Sequence, residues 1–267
     1  MLLNVKSYVK QEKEKLKKKP EEPIRCMLIM QVGDNSASNA YIKGKIKDAE
    51  ELGHQAMLMK FPDGVSADTI YDFLERNEKS YDGIILQEPA NITEARGVLH
   101  PKTKADIIEL IRDWKDIDGF KRTSAHIPAT PRGIMDYLGY LGYNDFKGKI
   151  VAVVGKGKLV GEPLVPMLMK KGATVISCNS TTPNLRDMLQ QADIVIAATG
   201  VRDLIQSDMI GDGTLVIDAG ISVDENGKLC GDCSKELYDR EHVDITPVPG
   251  GVGLLTRLAL MKNLLGR

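Results

Sequence analysis

Ser38, Tyr41 and Lys45 fall three and four residues apart, a spacing that stacks side chains on one face of a helix. A hydroxyl, a phenol and an amine gathered this way can position a substrate and carry protons. A lysine on an exposed helical face is ordinarily just solvated, and spacing alone leaves both readings open. Gln87 closes the apolar run Gly83-Ile-Ile-Leu-Gln87, and parallel sheets place ligand-binding groups at the carboxyl ends of their strands. Asp118, in Asp116-Ile-Asp-Gly119, is either a simple turn aspartate or a carboxylate that meets a ligand.

A second set of residues has the chemistry of a phosphate cradle. Gly155-Lys-Gly-Lys-Leu-Val-Gly161 lies between a strand-like run and a helix, where backbone N–H groups and the helix dipole favour a pyrophosphate. The glycine spacing is one residue longer than the usual fingerprint, and a ligand-free turn is the plain alternative. An NAD site carries an acid about 20 residues further on to accept from the ribose 2′-hydroxyl. Here that stretch reads Cys178-Asn-Ser180, with no acid, while Lys156 and Lys158 flank the turn. NADP is therefore expected, with NAD the lesser alternative. The segment Thr246-Pro-Val-Pro-Gly-Gly-Val-Gly-Leu-Leu-Thr256 is too rich in proline and glycine for a regular element. It is expected to bring bare backbone close to a planar ligand.

Strands alternating with helices must hold these groups. Lys6–Lys19 reads as a solvated amphipathic helix, stopped by Pro20 and Pro23. Arg25–Val32 is a strand buried on both faces. A helix follows to about Leu52, capped by Ser36 or Ser38 and stopped by Gly53. Then come a strand at about 55–61, a helix at 66–77, the strand ending at Gln87 and a helix from Thr103. The pattern restarts with a helix at 132–141, the strand Lys149–Gly155, a helix at 163–171 and the strand Ala173–Ser177. A short helix at 185–190, strands at 193–197 and 214–218 and a last helix at 255–265 complete it. This order implies right-handed crossovers and largely parallel sheets. The expected fold class is α/β: two α/β domains around a cleft, the C-terminal one a Rossmann-type doubly wound parallel sheet.

Composition narrows the function class. At 267 residues the chain is one large domain or two modest ones, with a core that needs no staples. Lys+Arg total 36 against 37 Asp+Glu, a net charge of -1, which argues against a nucleic-acid or anionic-membrane binder. No run reaches the roughly 18 apolar residues of a spanning helix, and the N-terminus lacks signal-peptide features. Four cysteines do not make a disulfide framework, so a cytoplasmic protein is expected. Cys230-Gly-Asp-Cys233 lacks the second ligand pair of a zinc site, and no metal is expected.

Taken in order, these motifs resemble one family. They are Val32-Gly-Asp, Ser38-x-x-Tyr41-x-x-x-Lys45, Gly83-Ile-Ile-Leu-Gln87, Lys115-Asp-Ile-Asp-Gly119 and Pro128-Ala-Thr-Pro-Arg-Gly133. The match continues through Val154–Pro163, Ala192-Asp-Ile-Val-Ile-Ala-Ala-Thr-Gly200, Val216-Ile-Asp-Ala-Gly-Ile221 and the specific Thr246-Pro-Val-Pro-Gly-Gly-Val-Gly253. From about residue 24 onward the chain resembles the bifunctional methylenetetrahydrofolate dehydrogenase/methenyltetrahydrofolate cyclohydrolases, often called FolD. The resemblance implies a homodimer, with folate between two domains and NAD(P) in the C-terminal one. Residues 1–120 plus 250–267 would form the folate-binding catalytic domain, and 121–249 the cofactor domain. It implies Lys45 as the catalytic lysine, Gln87 as its hydrogen-bonded tuner, Tyr41 packed on the folate and Asp118 holding the pterin's N–H groups. Ser38 is placed with the substrate, and Gly250, Gly251 and Leu254 would line the folate site. Gly155, Lys156, Gly157, Ser180, Thr199, Gly200, Ile221 and Thr256 fall at cofactor-side positions, and Lys158, flanking the turn, is a further cofactor-binding candidate.

The implied chemistry suits these residue types. Hydride transfer from the folate methylene carbon needs alignment more than a strong base. Hydrolysis of the methenyl cation to 10-formyltetrahydrofolate needs proton transfers, the expected work of Lys45. A lysine with its ordinary pKa of about 10.4 is a poor base at neutral pH, so burial and the cationic intermediate are expected to lower it. A monofunctional dehydrogenase and a non-catalytic nucleotide- or pterin-binding protein are the competing readings. Departures from the family pattern concentrate around the ligands. Gly155-Lys156-Gly157 stands for the usual Gly-Arg-Ser, which loses a forked guanidinium. Asn179 stands for a histidine, Glu88-Pro-Ala for a proline-rich stretch, Ala129 for a cysteine and Leu254 for a proline.

Overall fold

Cys26-Met-Leu-Ile-Met-Gln-Val32 is apolar on both sides of its pleat, so it can only be a strand covered on both faces. The computed structural model, which describes residues 1–95, 101–225 and 227–267, makes it the central strand of a sheet. The N-terminal part runs α1 (Val5–Leu16), β1 (Cys26–Val32), α2 (Ser36–Glu51), β2 (Gln55–Phe61), α3 (Ala67–Asn77), β3 (Gly83–Gln87) and α4 (Lys104–Leu110). It continues with α5 (Ala129–Tyr140), β4 (Ile150–Val154), α6 (Gly161–Lys170), β5 (Thr174–Cys178), α7 (Leu185–Gln190), β6 (Ile194–Ala197) and β7 (Leu215–Asp218). Then come β8 (Ser222–Val223), β9 (Leu229–Cys230), α8 (Lys235–Tyr238), β10 (Asp244–Ile245) and α9 (Val252–Leu265).

Contacts divide the chain into two units, Lys13–Ala129 with Arg257–Arg267, and Met1–Glu12 with Thr130–Thr256. The first has a parallel sheet in the order β2-β1-β3, its register setting Gln31 beside Gln87. Leu28, Met30, Ile70, Leu74, Ile84 and Ile107 are buried in its core. Lys115–Ile117 extends the sheet beyond β3: Ile84 bridges Asp116, and the Ile84 N–H donates to the Lys115 carbonyl at 2.8 Å. The second unit has five parallel strands in the order β10-β7-β6-β4-β5. From β4 the chain first adds β5 on one side, then builds β6, β7 and β10 on the other. The crevice at that reversal, outside the carboxyl ends of β4 and β6, is where doubly wound sheets bind ligands. Both sheets are of the α/β class, with a Rossmann-type sheet in the C-terminal unit.

Several local expectations need correction. Neither Ser36 nor Ser38 caps α2; Asn35 does, its side chain accepting from the Ser38 N–H. The opening helix is not simply solvated. Val5, Tyr8, Val9 and Leu16 are buried, with Tyr8 packed 5.2 Å from the Tyr137 ring. The first twelve residues pack with 130–256: Leu2 bridges Ile245 and the Leu3 N–H donates to the Ile245 carbonyl. Helix α9 begins at Val252, inside the glycine-rich segment expected to be irregular throughout. Gly251 permits this start, since a side chain there would lie 2.3 Å from the Pro247 carbonyl oxygen.

Candidate functional site

Lys45 lies two and a half turns into α2 on its inner side, and only 2% of it is exposed. Its ammonium donates to Gln87 Oε1 at 3.0 Å and lies 3.8 Å from Asp118 Oδ2. Its Nζ also sits over the Tyr41 ring, 5.1 Å from the centroid, one turn back on the same helix. The Gln87 amide is held at both ends, because its Nε2 donates to the Glu88 carbonyl at 2.8 Å. That carbonyl also accepts from Ser38 Oγ at 3.4 Å. Thus α2 and the carboxyl end of β3 together fix Ser38, Tyr41, Lys45 and Gln87.

Asp118 reaches the lysine from a loop with its own supports. The Asp116 carboxylate accepts from the Gly119 and Lys121 N–H groups at 3.1 and 2.8 Å. Gly119 has φ +74, and a side chain there would collide with the Pro128 backbone at 2.7 Å. From α9, Asn263 Nδ2 donates to the carbonyls of Ile117 and Ile127, at 2.7 and 3.1 Å. The sequence reading missed Asp116 and Asn263. Asp116 lay in the quoted motif, whereas Asn263 carried no local signal.

Burial dominates the electrostatics of this cluster. Desolvation pushes the Lys45 pKa below its ordinary value, and the nearby Arg257 charge adds to this; Asp118 opposes both. Desolvation likewise raises the Asp118 pKa against the attraction of Lys45, with Asp116 and Glu88 adding to the rise. An amine with easier access to its neutral form, oriented by an amide oxygen beside a carboxyl group, is the arrangement of a general base.

The glycine turn occupies the crevice of the second unit. Gly155 follows β4 with φ +110, and a side chain there would meet the Ala198 carbonyl oxygen at 2.3 Å, just after β6. Gly161 opens α6 so tightly that a Cβ would lie 1.8 Å from the Gly155 carbonyl oxygen. Around Gly157 the space is open. No side chain caps the start of α6. Lys156 and Lys158 are exposed; burial raises the Cys178 thiol pKa at the end of β5, and the nearby Lys156 charge works against that rise. Ser180 is exposed just beyond that strand. Gly200, with φ +70, lies 3.8 Å from the Ile221 carbonyl measured from its would-be Cβ. These residues gather at the carboxyl ends of β4, β5, β6 and β7. Thr256 differs: its hydroxyl bonds Thr130 Oγ1 at 2.9 Å and the Val252 carbonyl at 3.1 Å, internal contacts that hold α9. In the same unit Gly250, with φ +100, and Gly251 lead into α9, and the Leu254 N–H donates to the Gly251 carbonyl.

A buried acidic pair under this crevice also escaped the sequence reading. Asp218 accepts from the N–H groups of Gly220, Asp232 and Cys233, each at 3.0 Å, and from Tyr238 OH at 2.7 Å. Asp232 in turn accepts from the Thr199 N–H at 2.6 Å. Cys230-Gly-Asp-Cys233 thus shapes the crevice through its aspartate, and all four cysteines are free. Among the described residues no group of acids, histidines and cysteines is placed to hold a metal. No described helix is long and apolar enough to cross a membrane.

Known proteins carry the same pattern. The profile described as "Tetrahydrofolate dehydrogenase/cyclohydrolase, catalytic domain" matches residues 2–118, and that of the family's "NAD(P)-binding domain" matches 128–267. The "Bifunctional protein FolD" of Polaromonas naphthalenivorans is 37% identical over 252 residues, covering 90% of this chain and 86% of that protein. The crystal structure of the bifunctional FolD methylenetetrahydrofolate dehydrogenase/cyclohydrolase from Campylobacter jejuni is 32% identical, with a TM-score of 0.89 over 100% of this chain and 97% of that one. The Trypanosoma brucei dehydrogenase-cyclohydrolase, solved with NADP and an inhibitor, is 26% identical with a TM-score of 0.86 over 99% and 96%.

Proposed function

This chain belongs to the tetrahydrofolate dehydrogenase/cyclohydrolase family, and from that premise we propose that it carries both activities. It oxidises 5,10-methylenetetrahydrofolate to the 5,10-methenyl form with NADP, then hydrolyses that cation to 10-formyltetrahydrofolate. The observation that carries the second activity is the buried Lys45 amine, oriented by Gln87 at 3.0 Å and neighboured by Asp118.

The residues present fit a dinucleotide. Gly155 and Gly161 bring backbone where only glycine fits, α6 starts without a side-chain cap, and Gly157 leaves open space. Lys156, Lys158 and Ser180 would hold the 2′-phosphate, with no acid at the end of β5 to repel it. Gly157, Thr199, Gly200, Ile221 and Thr256 complete the proposed cofactor set. When bound, NADP supplies the hydride acceptor for the first reaction.

The second reaction falls to the chain's own groups. Asp118 accepts hydrogen bonds from the pterin, Tyr41 packs on it, and Ser38, Gly250, Gly251 and Leu254 complete the folate contacts. As water adds to the methenyl carbon, the neutral Lys45 amine takes its proton. The bond from that carbon to the pterin nitrogen breaks, Lys45 returns the proton to the departing nitrogen, and the remaining hydroxyl proton goes to solvent as the formyl carbonyl forms. Gln87 keeps the amine's lone pair aimed by accepting one of its N–H groups.

A homodimer belongs to the same reading. Strand β2 is an edge strand whose Met57 and Leu58 are 53% and 37% exposed. Beside it a groove of about 510 Å³, lined by Gln31, Ile42, Ile46 and Leu58 among others, offers apolar surface to a second copy; analytical ultracentrifugation reads this directly. Four free thiols suit a reducing cytoplasm.

Lys45→Met tests the central assignment, with reduced cofactor and methenyl product followed separately. Hydrolysis is expected to fall by roughly 10²–10⁴-fold, the usual contribution of a general base, while most of the hydride transfer persists. Equal loss of both activities sinks this division of labour.

A further inference from the structure

Beside Lys45 lies an ion network that the proposed chemistry leaves unused. Asp48, one turn further along α2, is 1% exposed and accepts from three groups. Arg257 forks onto it through Nε at 2.5 Å and Nη2 at 2.7 Å. Lys13 reaches it at 2.6 Å and also pairs with Glu51 at 2.7 Å. The fork turns the third guanidinium nitrogen back along the helix: a side chain at Gly44 would meet Arg257 Nη1 at 2.3 Å. The cationic end of the pair therefore rests on the residue preceding Lys45, while the carboxylate lies a turn away.

We propose that Arg257 is a positioning residue for the hydrolytic step, its guanidinium clamped by Asp48 over Gly44, the neighbour of Lys45 on α2. A fixed positive charge beside a buried amine disfavours a second positive charge there. The groups around the Lys45 amine are the Tyr41 ring on its own helix, Gln87 at the end of β3, Asp118 on the following loop and Arg257 on α9. Asp118 opposes the effect, and burial outranks both. Asp48 holds both Arg257 and Lys13, and so fixes where the guanidinium stands. Gly44 belongs to the device because any larger residue would push the guanidinium away. This inference rests on Lys45 being the base of the proposed cyclohydrolase.

The test follows the amine itself as well as the rate. In unliganded protein with ¹³C-labelled lysine, the Lys45 Cε resonance, assigned by its loss in Lys45→Met, is titrated against pH. Arg257→Gln, which keeps hydrogen-bonding groups but removes the charge, is expected to raise the midpoint by about one pH unit, a tenfold loss of neutral amine below it. Arg257→Lys keeps the charge and is expected to leave the midpoint near its original place, which also serves if Arg257→Gln does not fold. The acid limb of the hydrolysis profile should shift alkaline by the same amount in Arg257→Gln and return in Arg257→Lys. An unchanged Lys45 midpoint in folded Arg257→Gln, or a shift of equal size in Arg257→Lys, overturns the proposal. A moved midpoint with an unmoved hydrolysis profile overturns Lys45 as the base while leaving its coupling to Arg257 in place.

Discussion

Replacing Asp218 with Asn exchanges one oxygen for an NH₂ group at a carboxylate that meets only donors. The side chain is completely buried and the change is nearly isosteric, so no cavity forms and the cost is one of hydrogen bonding. If the amide oxygen takes the place of Oδ1, it retains the Gly220 and Asp232 N–H groups. The amide nitrogen then faces the Cys233 N–H and Tyr238 OH that Oδ2 had accepted. The tyrosine hydroxyl can turn and accept; the Cys233 N–H cannot, and a buried unpaired donor costs about 1–3 kcal/mol. Losing the charge from the surviving bonds removes about 1 kcal/mol each. One effect runs the other way. Burial chiefly, and the Asp218 charge secondarily, hold the Asp232 pKa up, so the variant relieves some repulsion between buried acids. The expected net loss is about 3 kcal/mol, a fall of roughly 6–12 °C in the melting temperature. Urea denaturation checks the energy, and initial-rate kinetics check the function. Because Asp218 and Asp232 hold Gly220 and Thr199 at the crevice, the KM for NADP should rise while hydrolysis of added methenyltetrahydrofolate stays near its original rate. A loss below about 1 kcal/mol with an unchanged denaturant slope would refute the hydrogen-bond reasoning. An unaltered KM would detach the acidic pair from cofactor binding.

Asn263→Ala strips the donor from two carbonyls that flank the Asp118 loop. It should cost about 2–4 kcal/mol and raise the KM for folate more than that for cofactor. Equal shifts in both would place Asn263 in general stability alone. The double variant Lys156→Met, Lys158→Met should weaken NADP by on the order of tenfold, about 1.4 kcal/mol, with NAD little affected. Parallel initial-rate series with the two cofactors decide this, and matched losses would remove the lysines from the 2′-phosphate site.

Local patterns carried most of the scaffold. The strands at Gln55–Phe61 and Gly83–Gln87 and the helix at Leu185–Gln190 stand where apolar runs and turn residues put them. The Tyr41–Lys45 spacing likewise put both side chains on one helix, because α2 is regular. What escaped was long-range. Strand β10 has two residues and gains its identity only by pairing with β7. Arg257 and Asp48 are 209 positions apart, so neither announces the other. Asn35 was passed over as a cap because two serines beside it have the same propensity. The burial of α1 depended on Tyr137 and Tyr140, far along the chain.

Helix α9 is shared between the two units, changing sides at Thr256–Arg257. Its later residues complete the first unit's core: a side chain at Gly83 would lie 2.9 Å from Leu264 Cδ1, and Asn263 braces the loop carrying Asp118. On a translating ribosome, therefore, residues 13–129 emerge long before the segment that finishes their packing. At bacterial or eukaryotic elongation speeds the wait is on the order of ten seconds. The Lys45 pocket is consequently one of the last parts of the molecule to be assembled, after the nucleotide-type sheet has been synthesised. A nascent chain halted before Arg257 would hold every proposed catalytic side chain and still lack the strut that makes them a site.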